Sequence, residues 1–202
     1  IVQRLNVDGR GELLGEFKGD DLLLVATQRG TVKTIAPDLS VRFDADMIVL
    51  EKWNPDKPLS AIYYEGEKER YYIKRFLIEN ESKEEVIISE HPKSVLELVS
   101  TDWRPVVELE FVKPRGKEAK PNQTVNLEEF ISVKGIKAMG NQLTSDKLKS
   151  VNALDPLPYE EPEVHETEDI EVIDEEDVIP DDKRPTDKKG KSAYSVFLVH
   201  NG

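Results

Sequence analysis

Short apolar runs separated by turn residues recur along the first part of the chain, up to about Asp155. Runs of this length that are rich in Val, Ile, Leu, Tyr and Phe are typical of β-strands, and Gly supplies the positive φ that a tight hairpin requires. Helical character is confined to residues 147–151, at best one turn. The pattern predicts strands over residues 13–17, 22–26, 31–35, 61–64, 71–76, 86–89, 94–99, 106–112, 130–133 and 136–143.

The spacing of the predicted hairpins carries more information than any single strand. Hairpins recur roughly every 40–45 residues, a period typical of propeller blades. Residues 1–155 hold about three to four such blades, so the pattern predicts an all-β, propeller-like domain. A β-sandwich or an open β-sheet is the alternative, because regular short strands suit those folds as well.

The character of the chain changes after Asp155. Between Glu160 and Asp177 there are 11 acidic residues and no Lys or Arg. Like charges at this density repel each other, and the few apolar residues bury too little area to offset the entropy of ordering. We therefore predict a disordered or loosely docked acidic tail and polar linker over residues 156–191.

A short β-like segment, residues 192–202, ends the chain. Tyr194, Val196 and Leu198 alternate with Ser195, Phe197 and Val199 along it. Two interpretations stand side by side: the segment pairs with an open sheet edge, or it is a non-native extension.

The charge of the chain is unevenly distributed. The net charge is −13, and of the 41 acidic and 28 basic residues, 15 acidic and 5 basic lie in residues 155–202. A nearly neutral body is thus followed by a strongly acidic segment. Net charge alone favours a propeller-like protein-interaction module whose acidic tail binds a basic partner.

Other chemistry finds no support in the sequence. The absence of Cys excludes disulfides, thiolate catalysis and zinc–thiolate sites. His91, His165 and His200 are far apart, and the acidic run 174–177 lacks the spaced ligands and central Gly of a calcium loop. No run is long and apolar enough for a membrane helix, and no export signal is present. We therefore expect a cytoplasmic chain, without metal site or catalytic centre, that begins at Ile1 because it is part of a longer protein.

Three segments share their arrangement with one known family. Residues 20–35, DDLLLVATQRGTVKTI, join an acidic turn, an apolar strand, a small turn with Gly and a V-K pair on the returning strand. Residues 56–79, DKPLSAIYYEGEKERYYIKRFLIE, form a later hairpin, and residues 130–144, FISVKGIKAMGNQLT, contain F-x-x-V-K-G-x-x-A-x-G-x-x-L. In this order they resemble the C-terminal domain of the A subunits of gyrase and topoisomerase IV, the bacterial type IIA topoisomerases. The third segment is the most specific.

The resemblance implies a β-pinwheel, a propeller-like disc of about three to four blades that exchange strands with their neighbours. It implies that double-stranded DNA binds around the outer rim and is bent, and is thereby presented for ATP-dependent strand passage in decatenation or relaxation. The implied partners are the remainder of the A subunit and the ATPase B subunit in a heterotetramer, with no membrane. The resemblance further implies that the parent enzyme uses ATP and Mg²⁺, that the fragment itself holds no cofactor, and that the protein is found in the cytoplasm, at the nucleoid.

The wrapping box that gyrase carries, Q-R-R-G-G-K-G, is absent from this chain. Gln28-Arg29-Gly30 matches it only in part and lies in a predicted hairpin turn. The difference favours topoisomerase IV over gyrase and argues against strong chiral wrapping of DNA.

Contact with DNA by such a disc is mostly contact with phosphates, which Lys and Arg supply without reading the sequence. Residues 113–120 hold four basic groups and one acid, and further basic residues cluster on the predicted hairpins. Lys74 and Arg75 are neighbours on a strand, so they point to opposite faces. The alternative for each is an ordinary solvated charge. The candidate DNA contacts are Arg29, Lys33, Lys68, Arg70, Lys74, Lys113, Arg115, Lys117, Lys120, Lys134 and Lys137.

The acidic segment suggests a hypothesis about regulation. Negative charge attached to a nearly neutral body competes with DNA for any basic surface. Residues 160–177 would then act as an autoinhibitory DNA mimic, and the alternative is a tail that only increases solubility.

Overall fold

The computed structural model describes residues 2–161 and 193–201, and almost all of its regular structure is antiparallel β-strand. Its single helical turn, α1, covers Leu127–Phe130 and is capped by the side chain of Asn126, which accepts hydrogen bonds from the amides of Glu128 and Glu129. The strands are β1 Val2–Asn6, β2 Glu12–Phe17, β3 Leu23–Thr27, β4 Thr31–Ile35, β5 Met47–Lys52, β6 Leu59–Glu65, β7 Arg70–Phe76, β8 Glu85–Val86, β9 Val95–Ser100, β10 Val106–Phe111, β11 Gln123–Asn126, β12 Asn141–Thr144, β13 Leu148–Leu154 and β14 Tyr194–Asn201.

The strands form four antiparallel sheets. Sheet one has the order β1-β14-β2, sheet two β5-β3-β4-β8, sheet three β12-β7-β6-β9 and sheet four β11-β10-β13. Two short strands cross between neighbouring sheets. Strand β8 follows the β6–β7 hairpin of sheet three but pairs with β4 of sheet two, and β12 follows the β10–β11 hairpin of sheet four but pairs with β7 of sheet three. This exchange of strands confirms the predicted all-β, pinwheel-like fold, to which the described residues contribute four sheets.

Apolar side chains pack between consecutive sheets, in three clusters. One joins sheets one and two around Phe17, Leu23 and Val196, and another joins sheets two and three around Leu24, Tyr63, Phe76 and Ile87. The third joins sheets three and four, with residues that include Ile62, Ile73, Val107, Leu109 and Leu143. Sheet three is therefore covered on both faces, which explains why β6 is buried along nearly its whole length.

Four local predictions were wrong in whole or in part. Strands were expected over residues 86–89 and 136–143, but β8 ends at Val86 and β12 begins only at Asn141. Residues 130–133 were expected to form a strand, but the Asn126 cap turns the chain into α1, and residues 131–133 belong to no strand. Lys134 then forms an isolated bridge to Phe76 at the end of β7. Residues 147–151 were expected to form at most a helical turn, but strand β13 begins at Leu148 and pairs with β10. Its buried residue, Leu148, belongs to the core between sheets three and four.

The last strand, β14, lies at the centre of sheet one. It pairs with β1 on one side and with β2 on the other, so of the two interpretations of residues 192–202 the structure shows pairing with sheet edges. Most of the predicted acidic tail and linker, residues 162–191 of 156–191, lies outside the described residues. Its first part runs along residues 103–104: the amide of Leu157 donates to the carbonyl of Arg104, and Tyr159 stacks on Trp103 with ring centroids 4.4 Å apart.

Candidate nucleic-acid interface

The basic residues of the first hairpin are paired with carboxylates. Arg29, in the β3–β4 turn, lies 2.9 Å from Asp46 and 3.4 Å from Asp44. Glu84 is 3.8 Å from Arg29 and 3.9 Å from Lys33 on β4. Two predicted DNA contacts therefore share three acidic neighbours, which cancel the positive potential that a phosphate requires.

Lys74 lies inside the protein. Strand β7 alternates between two packed faces, and Lys74 shares its face with Tyr72 and Phe76 in the core between sheets two and three. The side chain is only 4% exposed, and its Nζ donates to the carbonyl of Ile136. Loss of hydration lowers the pKa of Lys74 to about 8, although the nearby carboxylate of Glu85 opposes this shift. A phosphate does not reach the amine in this structure, so we leave Lys74 out of the interface.

Arg75 points to the opposite face of β7, as the alternation of a strand requires. Its Nε donates to Ser60 at 3.1 Å and a second guanidinium nitrogen donates to the carbonyl of Trp103 at 3.2 Å. Burial lowers the pKa of Arg75. The backbone carbonyl of Arg75 also accepts from the amide of Lys134, which fixes that exposed lysine beside β7. Arg75 thus positions surface groups rather than contacting a ligand.

The β6–β7 turn presents Lys68 and Arg70 to solvent. The carboxylate of Glu65, 2% exposed, shapes this turn by accepting from the amide of Lys68 at 2.7 Å and from the hydroxyl of Ser89 at 2.9 Å. Burial raises the pKa of Glu65, but these hydrogen bonds outweigh it and hold the pKa below its usual value. The ionised carboxylate of Glu65 thereby fixes the conformation of the β6–β7 turn. The ammonium of Lys68 lies 3.5 Å from Met139, in the loop before β12.

A second basic group surrounds the β10–β11 loop. Lys113, Arg115 and Lys117 are exposed, and no ion pair within the described part of the chain involves them. Lys120 reaches across to Asp146 in the β12–β13 turn, at 2.7 Å. The amide of Val112 donates to the carbonyl of Lys147, which ties the same turn to the base of the loop. Two depressions of about 370 and 460 Å³ flank the ion pair and share Phe111 as a wall.

Strand β12 joins the two basic groups along the outer edge of sheet three. Lys134 donates to Asn141 at the start of the strand, and the end of Lys68 lies beside Met139, which lines a depression together with Lys137. Arg70 and Lys147 lie at its far end, because Tyr71 pairs with Thr144. Four residues of strand span about 13 Å. We call this surface the basic edge: Lys68, Arg70, Lys113, Arg115, Lys117, Lys120, Lys134, Lys137 and Lys147.

Besides Lys147 of the basic edge, two polar residues beside it were not among the predicted contacts. Asn141 and Gln142 are exposed on β12 and carry amide donors that suit phosphate oxygens. Lys147 lies beside the 113–120 loop because β13 pairs with β10, so that Phe111 faces Leu148. The corresponding outer edge of sheet two, strand β8, instead places Glu84 beside Arg29 and Lys33. The cations at this edge of sheet two are therefore paired, whereas Lys113, Arg115 and Lys117 beside sheet four make no ion pair within the described residues.

Within the described residues, no group of three or more His, Asp or Glu side chains is arranged to hold a metal ion. The one helical segment described is also far too short to cross a membrane.

Comparison with known proteins gives one match. A family model described as "Topoisomerase C-terminal domain, Bacteroidota" matches residues 4–155, about three quarters of the chain. No curated protein and no solved structure matches the chain. The resemblance seen in the three segments is confirmed at the level of this family, and the choice of topoisomerase IV over gyrase stays a prediction.

Proposed function

Because the chain belongs to the topoisomerase C-terminal domain family of Bacteroidota, we propose that it is the accessory DNA-binding and DNA-bending domain of a type IIA topoisomerase A subunit. The observation that carries this proposal is the basic edge. Its nine cationic side chains surround one strand, and Lys113, Arg115 and Lys117 lack carboxylate partners within the described part of the chain. An accessory domain that collects DNA needs such a surface and needs no catalytic group.

Phosphate neutralisation is the mechanism that this surface supports. Each cation that replaces condensed counterions contributes affinity without reading the bases, so binding is strong at low salt and independent of sequence. Bending DNA through tens of degrees costs on the order of 1–6 kcal/mol, which one or two contacts do not repay. Groups at both ends of β12 allow several contacts to act on one duplex.

In the parent enzyme, the bent segment is presented to the strand-passage core formed with the remainder of the A subunit. ATP and Mg²⁺ serve that core together with the ATPase B subunit in a heterotetramer, in the nucleoid of the cytoplasm. The missing wrapping box favours topoisomerase IV, whose reactions are decatenation and relaxation. This assignment rests on the resemblance and on the absence of the box from residues 1–202.

The test is DNA binding by fluorescence anisotropy as a function of salt, with a duplex of arbitrary sequence. The variant Arg115→Ala/Lys117→Ala/Lys147→Ala removes three exposed cations of the basic edge, and Lys18→Ala/Arg42→Ala/Lys83→Ala removes three exposed cations elsewhere. We expect the first variant to bind more weakly by about tenfold or more at low salt, with a slope of log K against log salt shallower by about 2–3. The second variant is expected to bind like the unaltered chain.

Equal losses in both variants would show that DNA contact is not localised on the basic edge. An absence of binding even at low salt would favour the second candidate function, a propeller-like protein-interaction module whose acidic segment binds a basic partner. The observation behind that candidate is the net charge of −13, most of which lies after residue 154.

A further inference from the structure

Sheet one is assembled from distant parts of the chain. Strands β1 and β2 are consecutive in sequence, yet they do not pair with each other, because β14 lies between them and is antiparallel to both. Neighbouring strands are about 4.8 Å apart, so β1 and β2 are separated by roughly 10 Å. Residues 2–17 therefore form a slot with a hydrogen-bonding edge on each side, which we call the strand slot.

The strand slot has a defined chemical preference. Val196 and Leu198 of β14 are 0% and 5% exposed, and they pack with Leu5, Phe17 and Leu23. The slot thus recognises an extended segment with apolar residues at alternate positions, held by main-chain hydrogen bonds on both sides. Gly11 allows the close approach: its φ is +84°, and a Cβ there would overlap the carbonyl group of Leu198.

Strand β14 occupies the slot, and residues 162–192 are its only connection to the preceding part of the domain. A segment of this length spans at most about 100 Å, which is long compared with the separation of strands within the domain. A strand from another copy of the chain has the same sequence and makes the same contacts. Nothing in the pairing of β14 with β1 and β2 requires that all three strands belong to one chain.

We propose that the strand slot is a β-augmentation site that also binds the C-terminal strand of a second copy of this chain, so that two copies exchange β14. A strand connected within the same chain is present at an effective concentration on the order of millimolar, so exchange requires copies that are concentrated or held together. The proposal rests on strand pairing in sheet one and is independent of DNA binding by sheets three and four.

Engineered disulfides test the proposal in the full chain, which contains no native Cys. Arg4 on β1 and Val199 on β14 face each other in regular register. One chain carries Arg4→Cys only and the other Val199→Cys only. They are mixed at high protein concentration, equilibrated and oxidised with copper–phenanthroline. We expect a disulfide-linked heterodimer, seen by non-reducing electrophoresis and mass spectrometry.

Two controls make each outcome decisive. The double variant Arg4→Cys/Val199→Cys at low concentration should form the bond within one chain, which verifies the geometry. A mixture of Val112→Cys, 44% exposed on sheet four, with Val199→Cys measures random collision. Several-fold more heterodimer from the Arg4 mixture than from the Val112 mixture supports exchange. Equal yields, with an intact internal bond in the double variant, would overturn it, and failure of the internal bond would remove the strand pairing on which it rests.

Discussion

Single residues decide which basic side chains reach the surface. The sequence shows that Lys74 and Arg75 point to opposite faces of one strand, but it does not show that both faces are covered. Both are covered because sheet three lies between sheets two and four, so the two charges are 4% and 5% exposed. Arg29 and Lys33 were correctly placed on a surface hairpin, but their carboxylate neighbours come from residues 44, 46 and 84, which only the fold brings together.

Burial of Lys74 makes a prediction about stability and pH. Its pKa is about 8 in the folded chain, against 10.5 for an exposed lysine, because burial disfavours the ammonium ion. Between these pH values the unfolded state binds more protons, so the free energy of unfolding rises with pH. Below pH 8 Lys74 is charged in both states, so burial of its ammonium group lowers the free energy of unfolding by the full amount. Replacement by Met removes this dependence.

Urea denaturation of the unaltered chain and of Lys74→Met from pH 7 to pH 10 measures the effect. The difference between the two unfolding free energies should move in favour of the unaltered chain as pH rises, by up to on the order of 3 kcal/mol. The raised pKa of Tyr63, about 12, acts in the opposite direction above pH 10 but is common to both proteins. Parallel curves would show that Lys74 is hydrated in solution.

Among the elements, hairpins with Gly turns were predicted from the sequence, whereas four of the eight edge strands were not. The missed strands are β1, β5, β11 and β13, and each lies at the edge of its sheet. An edge strand pairs on one side only and buries fewer side chains, so its sequence carries a weaker apolar pattern. Strand β11, QTVN, has one buried residue, Val125. The exchange of β8 and β12 between sheets also leaves no local signal, because it depends on pairing with distant hairpins.

The attachment of β12 depends on Gly140, which precedes it. Gly140 has a φ of +89°, and a Cβ there would overlap the carbonyl oxygen of Ile73 on β7. Gly9 has a φ of +79° but no atom within 4 Å of the same position, so Gly9→Ala is a matched control. The positive φ alone costs about 1 kcal/mol in either variant.

Gly140→Ala should therefore lose clearly more unfolding free energy than Gly9→Ala, because β12 must move away from β7. It should also weaken DNA binding, since β12 joins the two halves of the basic edge. Urea denaturation and anisotropy measure the two effects. Similar destabilisation by both substitutions would mean that the chain around Gly140 relaxes without disturbing β12.

At the scale of the whole molecule, the position of β14 determines how the effect of the acidic segment on DNA binding can be measured. A chain that ends at Asp155 loses the acidic run, but it also loses β14, the central strand of sheet one. If that truncation changed DNA binding, the effect of removing charge could not be separated from the effect of removing the central strand of sheet one. The acidic run is also attached at both ends, to sheet one by β14 and to residues 103–104 by the hydrogen bonds of Leu157 and Pro158.

Neutralisation at constant length separates these effects. Replacing Glu by Gln and Asp by Asn over residues 162–177 keeps β14 and both attachments, and it removes the charge that would compete with DNA for the basic edge. If the segment is a DNA mimic, affinity should rise several-fold at low salt, and the gain should disappear near 1 M salt, where the Debye length is about 3 Å. A scrambled segment with every charge retained should bind DNA like the unaltered chain, because the competition depends on charge. Unchanged affinity after neutralisation would leave the acidic run as a solubilising segment, while a gain from scrambling as well would show that its apolar residues hold it against the domain.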